Sequence, residues 1–321
     1  LVDEIMPTGL AWRLDGTLVF SSLKGQVWQA RDTDGDGLED TATVLSDDLA
    51  APYGVAIAGN AVDVINKYAL LRLSDEDGDG RAERTERLAS GWGHTEDYHD
   101  WAVGLVRDKS GSYFIALPCQ QDEREPAAAY LRGRALRLSP HEPTGNDPSS
   151  FAIEEYCAGL RFPMGLALHR SGDLFATDNQ GNYTPFNELN HLQAGQRYGF
   201  INRLENKPGY RPEFTPAAIN IPHPWTRSVN GICFLNTPPA VREQLGRDLF
   251  GPFEGHLIGC EYDTRSLVRM SLEQVGETYQ GAVYPFSHPT AQGEESLLGP
   301  LVCQVAPDGD LYVGNIRDSA W

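Results

Sequence analysis

Apolar and polar residues alternate in short runs along nearly the whole chain, and each run ends at a turn that usually carries glycine. From Pro7 to Asp32 the sequence reads PTGLAWRLDGTLVFSSLKGQVWQARD, in which GLAWR, TLVFSS and QVWQAR are separated by Asp15-Gly16 and Lys24-Gly25. A period of two marks a strand with one buried face, because successive side chains leave the backbone on opposite sides. Glycine at the breaks supplies the positive-φ residue that a tight hairpin requires. A fourth strand, TATVLS, starts at Thr41. The pattern predicts antiparallel hairpins throughout, hence an all-β chain rather than a helical or α/β one.

The same grammar recurs, and the recurrence decides the architecture. It returns at Pro52 (PYGVAIAGNAVDVINKYALLRLSD), at Trp101 (WAVGLVRDKSGSYFIALP, with RALRLS from Arg134) and at Arg161 (RFPMGLALHRSGDLFATDNQG). Two more copies begin at Val229 (VNGICFL, then GHLIGCEYDTRSLVRMSLE) and at Pro300 (PLVCQVAPDGDLYVGN). The glycine near the start of each unit recurs at intervals that grow from about 45 residues to more than 60. The early units therefore have the length of propeller blades, and the later ones carry loop insertions. Six units predict a six-bladed β-propeller of four-stranded antiparallel blades, a single domain over residues 1–321. The sixth unit stops soon after its second strand. Either strands from the N-terminus complete that blade, or the propeller is a module of a longer protein. Radial closure of this kind protects the sheet edges.

Composition narrows the partners. A formal charge of −19 opposes contact with nucleic acid and with anionic lipid. No apolar run reaches the roughly 20 residues of a membrane-spanning helix, so no membrane insertion is expected. The chain begins at Leu1 with no leader-like segment, as a processed or excised chain would. Its five cysteines (Cys119, Cys157, Cys233, Cys260, Cys303) form no CxxC or CxxCH, which argues against a local zinc knuckle or a covalently attached c-type haem. The odd number leaves at least one thiol free, and their strand-like settings predict small buried hydrophobes.

Acid is concentrated in two places. DTDGDGLED lies between the third and fourth strands of the first unit, and DEDGDGRAE occupies the matching place 43 residues later. Carboxylates fall at loop positions 1, 3, 5 and 9: Asp32, Asp34, Asp36 and Asp40, then Asp75, Asp77, Asp79 and Glu83. Several oxygens converging on a tight turn suit a hard cation, and Gly37 and Gly80 stand where that turn needs glycine. Both loops are expected to bind Ca2+. Position 12 is Thr43 in the first and Glu86 in the second, so neither is a complete EF-hand loop. A solvated acidic hairpin is the plainer alternative.

The segments leading into the innermost strands carry other candidate chemistry. WGHTEDYHDW (Trp92 to Trp101) holds His94, Glu96, Asp97, His99 and Asp100. GLRFPMG holds Arg161, and DNQGNYTPFNELNHL holds Asp178, Asn179, Gln180, Asn187, Glu188 and Asn190. PHPWTRSVNG holds His223, Trp225, Arg227 and Asn230. In a propeller such lead-in loops share one face with the loops between second and third strands, opposite the acidic loops. They are expected to converge on one axial mouth. Each also has an ordinary structural explanation: histidines are more often structural donors than bases, Asn-rich stretches cap loops, and an arginine can clamp nearby carbonyls.

These residues resemble the glucose/sorbosone dehydrogenase family, six-bladed quinoproteins that use pyrroloquinoline quinone (PQQ) with calcium. The resemblance is best from Trp101 onward. GLRFPMGLALHRSGDLFATDNQGN…FNELNHLQAGQRYGF is similar to the family's Arg-x-Pro-x-Gly, strand pair and closing Tyr-Gly, and EGHLIGCEYDTRSLVRMSLE is similar to its fifth-blade hairpin. The resemblance implies His99 as the base that removes a hydroxyl proton while hydride leaves a sugar or alcohol. It implies Arg161 beside the quinone, Gln180 and Arg227 as polar contacts, and Gly181 and Asn182 where carbonyls hold the cofactor's calcium. An imidazole, which titrates near neutral pH, suits the base.

The sequence departs from the family at Gly299 and Leu301, where two arginines are usual, and at Phe162, where asparagine is usual. A fifth-blade lysine has no counterpart, although Arg265 is near its place. Quinone binding is therefore expected to be weak. The chain also looks like propeller modules of large bacterial proteins that carry a c-type haem domain. That likeness implies a c-type cytochrome domain as electron acceptor and a periplasmic or extracellular site. Two other functions fit the residues. One is a non-catalytic, calcium-stabilised propeller that binds a glycan or partner through Trp92, Tyr98, Trp101 and Trp225. The other is a calcium-dependent sugar lactonase using Asp178, Asn179 or Glu188.

Overall fold

Each alternating stretch forms a strand. The computed structural model describes residues 5–97, 99–119, 125–144, 149–287 and 297–316. The first sheet joins β1 (Pro7–Trp12), β2 (Leu18–Ser22), β3 (Gln26–Arg31) and β4 (Thr41–Ser46). The second joins β5 (Gly54–Ala58), β6 (Ala61–Ile65), β7 (Ala69–Ser74) and β8 (Arg84–Ser90). The third joins β9 (Val103–Arg107), β10 (Tyr113–Leu117), β11 (Arg134–Pro140) and β12 (Phe151–Ala158). The fourth joins β13 (Gly165–Leu168), β14 (Leu174–Asp178), β15 (Asn187–Leu192) and β16 (Ile219–Ile221). The fifth joins β17 (Val229–Phe234), β18 (Leu257–Glu261), β19 (Ser266–Val275) and β20 (Thr278–Pro285). The sixth, among the described residues, has only β21 (Pro300–Val305) and β22 (Leu311–Asn315). Every pairing inside a sheet is antiparallel and follows chain order. A short helix, α1 (Pro239–Leu245), sits in the insertion between β17 and β18.

The innermost strands β1, β5, β9, β13, β17 and β21 neighbour one another in that order, and β21 returns to β1. This arrangement explains the glycine near the start of each unit. A Cβ on Gly54 would lie 1.8 Å from the carbonyl oxygen of Gly104, and one on Gly165 would lie 2.2 Å from that of Asn230. Successive innermost strands approach closer than any side chain allows. They enclose a cavity of about 390 Å³ along the axis.

The core lies between adjacent sheets. Ile65, Leu70 and Leu88 of the second sheet meet Tyr113, Ile115 and Leu136 of the third, for example. Charge enters this core at Asp63, with full compensation. Asp63 is completely buried, bonds Arg72 through both oxygens (2.7 and 2.8 Å) and accepts the Tyr113 hydroxyl (2.8 Å) across the sheet boundary. All five cysteines are buried and free, and burial pushes the Cys157 thiol up to about 12.

Candidate functional site

At the lead-in end of the axis, all six sheets contribute to one apolar plug. Met6, Tyr53, Trp101, Val103, Phe162, Met164, Leu301 and Ile316 form it, and Tyr262 of the fifth sheet packs against it. These residues immediately precede or begin an innermost strand, or follow a second strand, so the fold sets them around the axis. Trp92 and Trp101 are only 3% and 4% exposed. The expectation of an aromatic rim is corrected here: Trp101 belongs to the plug, and the Trp92 indole donates to the Lys67 carbonyl (2.8 Å). Large aromatic faces gain more from this burial than from water. Trp225 is exposed on the surface, and Tyr98 lies outside the described residues.

His99 rests on this plug. Its ring centroid lies 5.5 Å from that of Trp101 and 5.9 Å from that of Phe162. Its Nδ1 is 3.1 Å from Asp97 Oδ1, which also accepts the His99 backbone N–H (2.8 Å). A carboxylate at that distance favours the proton on Nδ1. Lys67 holds the same loop from below, donating Nζ to the carbonyls of Thr95 (2.8 Å) and Asp97 (2.7 Å).

Arg161 is adjacent in the fold, since Phe162 follows it in the chain. Its guanidinium donates to the Gln180 carbonyl (3.0 Å), which joins two sequence candidates in one contact. Arg161 and Gln180 thus meet on the lead-in face, where His99 lies against Phe162. Gly181 sits so close to the Gly199 carbonyl that a Cβ would lie 2.2 Å away. The Asn182 amide pairs with Ile201 in both directions (2.8 and 3.0 Å), which fixes this loop against the segment after β15. In the lead-in segment of the next sheet, the Arg227 backbone N–H donates to Glu261 (2.8 Å), and its charge acts on Asp263 in the β18–β19 turn.

The carboxylates at the ends of second strands hold backbone. Asp178 accepts the N–H groups of Arg161 (2.8 Å), Phe162 (2.6 Å) and Asn179 (2.9 Å). Glu261 accepts those of Arg227 (2.8 Å) and Ser228 (2.9 Å), and Ser22 Oγ accepts that of Met6 (3.1 Å). In three sheets, then, the last residue of the second strand caps the segment entering the first. Burial, with the nearby Glu188 charge, raises Asp178 to about 7 against the pull of those donors. This repeated cap carries no sequence motif, because serine, aspartate and glutamate all serve.

The two acidic loops lie on the opposite face. One groove there is lined by Arg13 and Asp15 from the β1–β2 turn, Asn60 from the β5–β6 turn, and Asp75 and Asp79. The loops repeat each other bond for bond. Asp32 accepts the N–H groups of Gly35 and Gly37 (2.6 and 2.8 Å), and Asp75 accepts those of Gly78 and Gly80 (2.6 and 2.9 Å). All four glycines have positive φ. In the second loop the carboxylates of Asp75, Asp77, Asp79 and Glu83 lie within 4.8 Å of one another. In the first, Asp32, Asp34 and Asp40 do so, and Asp36 falls outside the group; Asp36 accepts the Leu38 N–H (2.9 Å) as Asp79 accepts that of Arg81 (2.8 Å).

The positions that would anchor PQQ do not supply its cationic partners. Leu301 is part of the plug, and a Cβ on Gly299 would lie 2.8 Å from the Tyr262 ring, leaving no room for a long side chain. Phe162 is likewise in the plug, and Lys67 is held by two carbonyls. A tricarboxylate requires several charge-assisted bonds. The residues present do not fit it.

Solved structures similar to this one include proteins described as sugar dehydrogenases. A candidate oxidoreductase (glucose dehydrogenase) of Thermus thermophilus superposes with a TM-score of 0.69 at 20% identity, covering 98% of this chain and 94% of that one. The soluble aldose sugar dehydrogenase of Escherichia coli gives 0.65 at 18%, covering 97% and 93%. The PQQ-bound aldose sugar dehydrogenase of Streptomyces coelicolor gives 0.65 at 17%, covering 96% and 87%. At these identities the likeness is one of fold. No curated protein matches in sequence. One sequence family does: with residues 11–317 matching its profile, the chain belongs to the domain of unknown function DUF7133.

Proposed function

We propose that the chain is a single six-bladed β-propeller domain of the sugar- and alcohol-oxidoreductase type, acting on a hydroxyl held over the axial plug. The closed order of six innermost strands supports the blade number, with the sixth blade contributing β21 and β22. The observation that carries the reading is His99, lying on Trp101 and Phe162 with Nδ1 directed to Asp97. A substrate hydroxyl meets His99 above the plug, and Nε2 accepts its proton. The hydride that leaves the same carbon goes to a two-electron acceptor less anionic than a tricarboxylate. Arg161 and Gln180 orient the polar edge of the bound pair. A c-type cytochrome domain is the proposed onward electron acceptor, in a periplasmic or extracellular setting.

A second reading rests on a separate observation. Leu301, Gly299 and Phe162 stand in place of charged or polar groups, as suits a propeller that binds a glycan or partner domain without turnover. One experiment separates the two. Purified protein in calcium buffer is titrated with aldoses and simple alcohols in the presence of artificial two-electron acceptors, with and without PQQ. Turnover without PQQ that falls at least about a hundredfold in His99→Ala supports oxidation, since a positioned general base contributes roughly 10²–10⁴-fold. Saturable sugar binding with no turnover under any acceptor sinks the oxidoreductase and leaves the binding module. Tight stoichiometric PQQ binding with sugar-dependent turnover would instead overturn the argument from the missing cations.

A further inference from the structure

A small surface pocket lies beside the fourth sheet. Its volume is about 190 Å³, roughly six waters by their share of liquid volume. Glu188, Thr184, Asn220, Tyr183 and Phe214 are among the residues that line it. Glu188 is only 6% exposed, yet among the described residues no cation reaches it: the groups acting on it are Asn190 and Thr184, both neutral. Asn190 donates Nδ2 to Glu188 Oε2 (3.1 Å), while its own Oδ1, fully buried, has no partner among the described residues. The pocket is therefore lined by a nearly buried carboxylate with no positive charge to match. Burying a charge without an opposite one is costly. The rings of Tyr183 and Phe214 lie 5.0 Å apart at 34°, with Tyr183 about half exposed.

We propose that this pocket binds a primary ammonium group, its N–H donors on Glu188 and its carbon stem against Tyr183 and Phe214. The carboxylate supplies the charge, the aromatic faces attract a cation and cover an apolar stem, and the volume admits one such group. A metal ion would use the oxygens but not the rings. A neutral alcohol would use the rings but leave the charge unpaired. The ammonium belongs either to a free amine, such as an amino sugar, or to a lysine side chain of a protein partner.

The test is calorimetric titration of the full chain with n-butylammonium at constant ionic strength, with n-butanol and tetramethylammonium as controls. Saturable binding by n-butylammonium and by neither control is expected, weakened at least about tenfold (about 1.4 kcal/mol) in Glu188→Gln. Tyr183→Ala and Phe214→Ala should each weaken it several-fold and keep the test intact if Glu188→Gln does not fold. Glucosamine and Nα-acetyl-lysine amide, compared next, distinguish the two sources by which binds tighter. Absent saturation below about 100 mM, weaker than any useful recognition on the affinity scale, overturns the proposal. So does n-butanol binding equally well, affinity unchanged in the variants, or calcium displacing the amine at Glu188.

Discussion

At the scale of single residues, most of the consequential positions are set by what a side chain would collide with or leave unpaired. Gly54 is the sharpest case. Replacing it with alanine puts a Cβ 1.8 Å from the Gly104 carbonyl, and backbone on both sides must move. Gly54→Ala should destabilise by about 3 kcal/mol or more, as overpacking and strain do at their upper range. Alanine at Gly59, where nothing lies within 4 Å of a Cβ, has only its φ of 63° to accommodate and should cost much less. Denaturant melts of the two variants give the comparison, and equal losses would refute the close-approach explanation. The sequence displayed these glycines only as a repeat marker, because a one-dimensional pattern cannot say which neighbour stands opposite.

The same scale carries a pH prediction. Asp178 is raised to about 7 and Glu188 is raised by burial, so in the range between the unfolded and folded values the native state holds protons that the unfolded chain has released. Stability therefore falls as pH rises from about 4 toward 7 and levels off above it. Glu188→Gln removes one of the two groups and relieves the other of a like charge. Its melting temperature should decline less steeply over that window than the parent's. Parallel curves for parent and variant would show that Glu188 does not contribute.

At the scale of elements, the acidic loops were legible because their chemistry is local. Spacing alone fixed which carboxylates could meet, and the hairpin between third and fourth strands delivered them. What spacing could not fix was the position of Asp36, which leaves the first loop one carboxylate short of the second although it accepts the Leu38 N–H just as Asp79 accepts that of Arg81. If both loops bind Ca2+, the second should bind more tightly. Asp79→Asn should weaken calcium binding markedly and Asp36→Asn little, by isothermal titration. Saturating Ca2+ at about 100 times its dissociation constant should add about 2.7 kcal/mol of stability, and a chelator should remove it. A melting curve indifferent to chelator in both parent and Asp79→Asn would mean that these are solvated hairpins. The lead-in loops were half legible for the complementary reason. His99 and Arg161 could be named from motif, but their support by an apolar plug depends on residues from all six sheets, including Leu301, whose sequence neighbours give no hint of the axis.

At the scale of the whole molecule, the number of units was readable from repetition, while closure was not. Repetition is a property of the sequence, whereas closure depends on the last sheet finding the first. The structure makes that junction from β1 and β21 at the axis and from Trp12 and Tyr312 further out, whose rings meet edge to face at 5.2 Å. The Tyr312 hydroxyl also bonds Glu39 (3.1 Å), so the junction reaches the border of the first acidic loop. A ring differs from an open row of sheets in how it fails. Opening one junction exposes two apolar faces at once and leaves each terminal sheet with a single neighbour, so loss at the junction is felt around the circle. Tyr312→Ala removes the ring pair and the hydroxyl bond, and should cost about 2–4 kcal/mol from lost aromatic burial and contact. The variant should unfold in one transition at lower denaturant, with tryptophan fluorescence and far-ultraviolet circular dichroism coincident. Slowed hydrogen exchange should weaken in the third and fourth sheets as well as in the first and sixth. Two separated transitions, with early exchange confined to the first and sixth sheets, would mean that the sheets stack as independent neighbours and that the ring is closed in geometry without being closed in energy.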